Sequence, residues 1–148
     1  MDANKILYLK ELLYDSGKQD VKIAISQMKD QEMLYAFAYN YNWDNGFDIP
    51  QEILDNEKCD LSIALLIFYR ADGLSYLERK SEDDQLPQWS TFIKNLYHSI
   101  MHGKYSRGEI EFRVPLTKVQ IYKLKKIITE AEKIFVEDID GKCLDIDV

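Results

Sequence analysis

Long apolar runs are missing from this chain. The longest, residues 63–69, falls well short of the roughly 20 apolar residues a membrane-spanning helix needs, so no membrane role is expected. Positive charge is the scarcer sign: 19 Lys and Arg stand against 26 Asp and Glu, a net charge of −7. Nucleic-acid phosphates call for clustered Lys and Arg, so nucleic acid is excluded as a partner. A basic protein suits the balance better, through electrostatic steering. The six glycines fall in separate turns, so there is no phosphate-cradling loop. Cys59 and Cys143 are the two cysteines, too few for a disulfide framework. No charged n-region and apolar h-region open the chain, which makes the expectation a cytoplasmic protein with free thiols.

What is present is ordinary globular material, 46% hydrophobic and 30% charged, enough for one domain with a full core. The chain is organised around Cys59-Asp-Leu-Ser-Ile-Ala-Leu-Leu-Ile-Phe-Tyr-Arg-Ala-Asp-Gly73. Asp60 suits an N-cap, and Gly73 suits a left-handed helix end. Between them only Ser62 and Arg70 interrupt the apolar residues before Asp72, which predicts a helix buried on all sides.

Residues 4–15 read as a helix with Ile6, Leu9 and Leu13 on one face, stopped by Ser16-Gly17. Asp20 and Asp30 are expected to cap a second and a third helix. Asn45-Gly46 marks a turn, and Asp48 is expected to cap a short helix over residues 49–54 with Pro50 in its first turn. In the turn, Trp43 should be largely buried, with Asn42 and Asp44 bonding the turn backbone. Residues 80–85 form a solvated loop, after which Pro87 opens a helix ended by Gly103. Residues 109–114 alternate, a strand pattern with Ile110, Phe112 and Val114 inward. Thr117 and Gln120 fit a capping box, and the helix they start should run to about residue 135, burying Leu124, Ile127 and Ile134. Asp140-Gly141 predicts a type I′ hairpin in the tail. The expected fold is therefore mainly α: one compact multi-helix domain around a buried central helix at residues 61–72, with a small C-terminal antiparallel β element.

Signals for chemistry are sparse. His98 and His102 stand at i, i+4, but Ser99-Ile-Met101 lies between them, so the metalloprotease general base is missing and no third ligand is placed by spacing. Residues 44–55 fail the calcium-loop pattern at positions 3, 6 and 12. No nucleophile has a His at readable spacing. Cys59 precedes a helix start but adjoins Asp60, which opposes thiolate formation. No catalytic residue, metal or cofactor is assigned on these grounds. Charge is uneven: residues 42–84 hold eleven acidic and four basic side chains, and residues 101–135 hold eight basic and four acidic.

Asn42-Trp-Asp-Asn-Gly-Phe-Asp-Ile-Pro50, followed by the stretch from Cys59 to Gly73, resembles an uncharacterised bacterial domain family. Its members share Asn-Trp-Asp-x-Gly-Phe-x-Ile-Pro and Cys-Asp-x-x-x-Ala-Leu-x-x-Phe-Tyr-x-x-Asp-Gly. The resemblance rests on Asn42, Trp43, Gly46, Pro50, Asp60, Phe68, Tyr69, Asp72 and Gly73, and extends more weakly through Trp89 and residues 110–124. It implies a bacterial origin and a domain boundary, with no reaction attached. Small acidic proteins of this kind are associated with immunity against toxins. The leading expectation is a non-enzymatic protein-binding domain, concretely an immunity-type protein masking a basic toxin through Asp44, Asp48, Asp55, Glu57, Glu82, Asp83 and Asp84. The alternatives are a small-molecule site or enzyme using Trp43, Asp44, Asp48 and Asp72, or a scaffold. The oligomeric state has no sequence signal.

Overall fold

Asp60 starts the central helix. Its Oδ1 accepts the Ile63 N–H at 2.9 Å, satisfying a donor that a first helical turn leaves free. The structure, a computed structural model, describes residues 1–80 and 85–148. In chain order its helices are α1 (Ala3–Lys10, prolonged by a π-helical turn at Glu11–Asp15), α2 (Lys18–Gln27), α3 (Gln31–Asn40), α4 (Asp48–Asp55), α5 (Leu61–Arg70), α6 (Gly73–Arg79), α7 (Pro87–Met101) and α8 (Lys118–Lys125). Short 3-10 turns lie at Trp43–Asn45 and Ala131–Val136.

α5 is the centre, packed against α3, α4, α6 and α7. Every residue from Leu61 to Phe68 is buried, as its apolar sequence requires. Ser62 keeps its hydroxyl satisfied by donating to the Ile110 carbonyl at 2.7 Å. Asn56, also buried, donates to the Ile25 and Met28 carbonyls at 2.8 and 2.9 Å and so ties the loop before α5 to the end of α2. Local cap signals hold at two more helices. Asp30 accepts from Glu32 and Met33 at the start of α3, and Thr117 with Gln120 completes a capping box on α8.

Two caps differ from expectation. Gly17 and Phe47 occupy the N-cap positions of α2 and α4, leaving Asp20 and Asp48 inside the first turns. There the carboxylates favour the positive helix end without capping it. The close of α5 differs too. Asp72, not Gly73, takes the left-handed conformation, at φ 62°, and Gly73 begins α6. Gly73 serves close packing: a Cβ there would lie 2.2 Å from the Phe68 ring.

The C-terminal third departs furthest. α8 stops at Lys125, and Ile127 is 55% exposed. Thr129 opens a new turn by donating its N–H to Glu132 Oε1 at 2.8 Å, a helix-start pairing that interrupts the longer helix. Among the described residues there is no sheet, so the antiparallel β element is not formed. Phe112 and Ile139 make an antiparallel bridge, and Ile110 and Lys142 a parallel one, each isolated. Gly141 lies directly against residues 109–111, where a Cβ would meet the Glu109 carbonyl at 2.4 Å, so this glycine permits a close approach rather than a hairpin. The inward side chains of the alternating segment are nonetheless used: Ile110 and Phe112 are buried, and Val114 is partly so.

Candidate binding cleft

The turn before α4 places Trp43. Asn42 Oδ1 accepts the Asp44 N–H at 3.0 Å, as expected, and the Tyr41 hydroxyl donates to the Gly46 carbonyl at 2.8 Å. The Asp44 carboxylate, expected to bond this turn, is exposed and does not. The Trp43 ring is half-buried, edge-on to Tyr41, Phe47 and Phe92 with centroids 5.5, 6.2 and 6.3 Å away. Its Nε1–H is buried and has no acceptor among the described residues. An unsatisfied buried donor carries a desolvation cost of about 1–3 kcal/mol, so a native structure rarely keeps one without a reason.

The end of α5, the start of α6 and the start of α7 supply the rest. Trp89 donates its Nε1–H to the Ala71 carbonyl at 2.6 Å. Asp72, held in its left-handed conformation, accepts from the Ser75 hydroxyl at 2.7 Å. Arg70 lies over the Tyr39 ring, 4.7 Å from the centroid. Trp43, Phe47, Trp89, Arg70, Arg79 and Asp72 line a cleft of about 260 Å³. That is below the roughly 300–1,000 Å³ typical of ligand pockets.

The charges of this cleft stand out from those around it. Arg107 pairs with Glu137, and Arg113 with Glu111, Asp138 and Asp140. The other two of the four arginines, Arg70 and Arg79, have no carboxylate partner among the described residues. Both line the cleft, in a chain of net charge −7.

Arg70 and Asp72 also line an adjoining groove of about 480 Å³, with Tyr35, Tyr39, Tyr69 and Arg113. Tyr35 donates to Asp145 at 2.7 Å, and Tyr69 donates to the Phe135 carbonyl. Burial pushes both phenols well above their ordinary range, and Asp145 adds to this for Tyr35, so both remain protonated donors.

The sequence-expected site residues divide. Trp43 and Asp72 come together in the cleft, whereas Asp44 and Asp48 lie outside its lining. Of the acidic residues expected to meet a partner, Asp48 pairs with Lys18 at 2.7 Å, Asp55 with Lys104 at 3.8 Å and Glu57 with Lys29 at 3.3 Å. Glu82, Asp83 and Asp84 lie outside the described residues. Gly46, Pro50, Asp60, Phe68 and Gly73 shape the elements rather than the cleft. Cys59 is buried, and burial, with Asp60 beside it, pushes its thiol up. Cys143 is exposed, and both thiols are free. His102 Nδ1 lies 2.8 Å from the His98 carbonyl, and among the described residues no group of three or more His, Cys, Asp and Glu is placed to hold a metal. Nor is any helix among them long and apolar enough to cross a membrane. Sequence reasoning missed Arg70 and Arg79 as site residues and named Trp89 only in the weaker extension of the family resemblance. The one available signal was Arg70 interrupting an otherwise apolar helix.

No curated protein and no solved structure matches the chain. A family model does match, over residues 29–101, and its description is Domain of unknown function (DUF4274). That segment contains every lining residue of the Trp43 cleft, whereas the tyrosine groove also draws on residues beyond it. Residues 29–101, just under half of the chain, are thus similar to this family of unknown function.

Proposed function

We propose that the chain is a non-enzymatic protein-binding domain that receives a segment of a partner along the Trp43 cleft and the adjoining tyrosine groove. The observation that carries this reading is the cleft's composition. Two tryptophans and two arginines without carboxylate partners among the described residues share one depression, continuous through Arg70 and Asp72 with three tyrosines. Trp, Tyr and Arg are the residue types that dominate binding energy at protein interfaces. Catalysis gains less support, because among the described residues Asp72 is the lone carboxylate of the cleft lining and no His, Ser or Cys accompanies it. An immunity-type setting in a bacterial cytoplasm fits the same surface. The net charge of −7 steers a basic toxin toward the domain, and the cleft anchors it.

Peptide-library selection on the whole chain tests the proposal, with the double variant Arg70→Gln, Arg79→Gln and the single variant Tyr39→Ala as counter-targets. Enriched peptides should change wild-type tryptophan emission and bind both variants more weakly. Failure to enrich any peptide, or peptides that bind all three proteins alike, would contradict it.

A further inference from the structure

We infer that the Trp43 cleft captures the C-terminal residue of the partner chain, an aromatic or large apolar residue with a free α-carboxylate. This rests on the reading of the cleft as a partner site and specifies which part of the partner enters it.

Three donors at the cleft have no protein acceptor among the described residues. Arg70 and Arg79 have no carboxylate partner among the described residues, and the Trp43 Nε1–H is buried without a bond. Nearby donors are already satisfied: Trp89 bonds Ala71, and Arg113 bonds three carboxylates. The unmet demand is therefore for acceptor oxygens, most strongly for an anion, since charge-assisted bonds to guanidinium are the strong ones. A carboxylate meets it with two oxygens. The same cleft holds one acceptor, Asp72, suited to a single N–H. Its aromatic floor of Trp43, Phe47 and Trp89 accepts a flat apolar side chain.

A C-terminal residue is the unit that carries all three features together: two carboxylate oxygens, one backbone N–H and one side chain. Capture of a chain terminus is an established mode of peptide recognition. The volume of about 260 Å³ suits a residue rather than a nucleotide or a large cofactor. The rest of the partner then leaves along the tyrosine groove, which abuts the cleft at Arg70 and Asp72.

Both tryptophans of the chain line the cleft, so intrinsic emission reads its occupancy directly. The probe is acetyl-Gly-Ala-Phe as the free acid, titrated against the same peptide with a C-terminal amide and against 3-phenylpropanoate, which lacks the backbone N–H. The free acid should give a saturable change. The amide, and the free acid on Arg70→Gln or Arg79→Gln, should each bind about tenfold more weakly, the loss expected when a charge-assisted bond is removed. Both arginines are exposed, so these variants should keep the wild-type melting midpoint. Equal binding of acid and amide would overturn the inference, while library peptides that still bind the cleft would leave the broader protein-binding reading standing. Phenylpropanoate binding as tightly as the peptide would overturn it in favour of a small aryl-carboxylate site. No binding of the free acid at millimolar concentration would overturn it outright.

Discussion

The indole of Trp89 donates to the backbone carbonyl of Ala71 at 2.6 Å, pinning α7 to the residue that ends α5. Ala71 is buried, so its carbonyl has little access to water. Trp89→Phe keeps most of the ring and leaves that acceptor unpaired. We expect a loss of about 1–3 kcal/mol in urea unfolding. A loss near zero would show that the bond does not fix the two helices.

Glu132 gives the fold an acid limit. Its side chain is 1% exposed, met by the Lys80 ammonium, the Tyr97 hydroxyl at 2.6 Å and the Thr129 N–H at 2.8 Å. Burial alone would raise its carboxyl. The bonds from Lys80, Thr129 and Tyr97 outweigh burial and lower it from 4.5 to about 2. A carboxyl depressed in the fold stabilises above its unfolded pKa, and the benefit is lost as pH falls from about 4.5 to about 2. The shift corresponds to roughly 3 kcal/mol. Unfolding measured from pH 7 down to pH 2 should show this loss in the wild type. Glu132→Gln should be less stable at pH 7 and should lack that part of the slope. An unchanged slope in the variant would refute the assignment.

Asp60 acts with the opposite sign. Burial raises its carboxyl, opposed in part by the Ile63 N–H, and its Oδ2 is buried without a partner among the described residues. Its ionised form is therefore less favoured in the fold, and its contribution grows as pH falls. Asp60→Asn keeps a capping oxygen and removes the charge. Its stability at pH 7 should be within about 1 kcal/mol of wild type or higher, whereas Asp60→Ala should cost about 1 kcal/mol or more through the lost cap. Equal losses in both would contradict this.

Gly73 is set by packing. An added Cβ would lie 2.2 Å from the ring of Phe68, itself against Phe135 at 4.7 Å. Gly73→Ala should cost about 1–3 kcal/mol, the range for overpacking a filled core. The double variant Gly73→Ala, Phe68→Leu should lose less than the sum of its single losses. Strict additivity in melting or urea curves would show that the two sites do not meet.

The parts legible in the sequence are those fixed locally. Asp30, Asp60 and Thr117 cap their helices because a cap needs only neighbours two or three residues away. Pro87 opens α7 for the same reason. The burial of α5 followed from composition alone. The misreadings lie where distant contacts decide. The carboxylate of Glu132 is held by Lys80 and Tyr97 from other elements, while Thr129-Glu-Ala-Glu132, itself a readable capping signal, lay hidden inside an apolar period. Gly141 looked like a turn glycine, yet its role depends on backbone thirty residues earlier. The cleft was half visible. Trp43 and Asp72 were named, but Arg70, Arg79 and Trp89 reach them only through the meeting of separate helices.

Trp43→Phe tests the central claim most directly, because it retains an aromatic ring and removes the N–H that has no acceptor among the described residues. The variant's melting midpoint and its affinity for a library-selected peptide are measured side by side. If the cleft is a binding site that holds this donor for a partner, folding should change little, since loss of packing is offset by removal of an unsatisfied group. Peptide affinity should fall about tenfold. A variant that melts far lower and binds its peptide as well as the wild type would contradict the account and make Trp43 a packing residue alone.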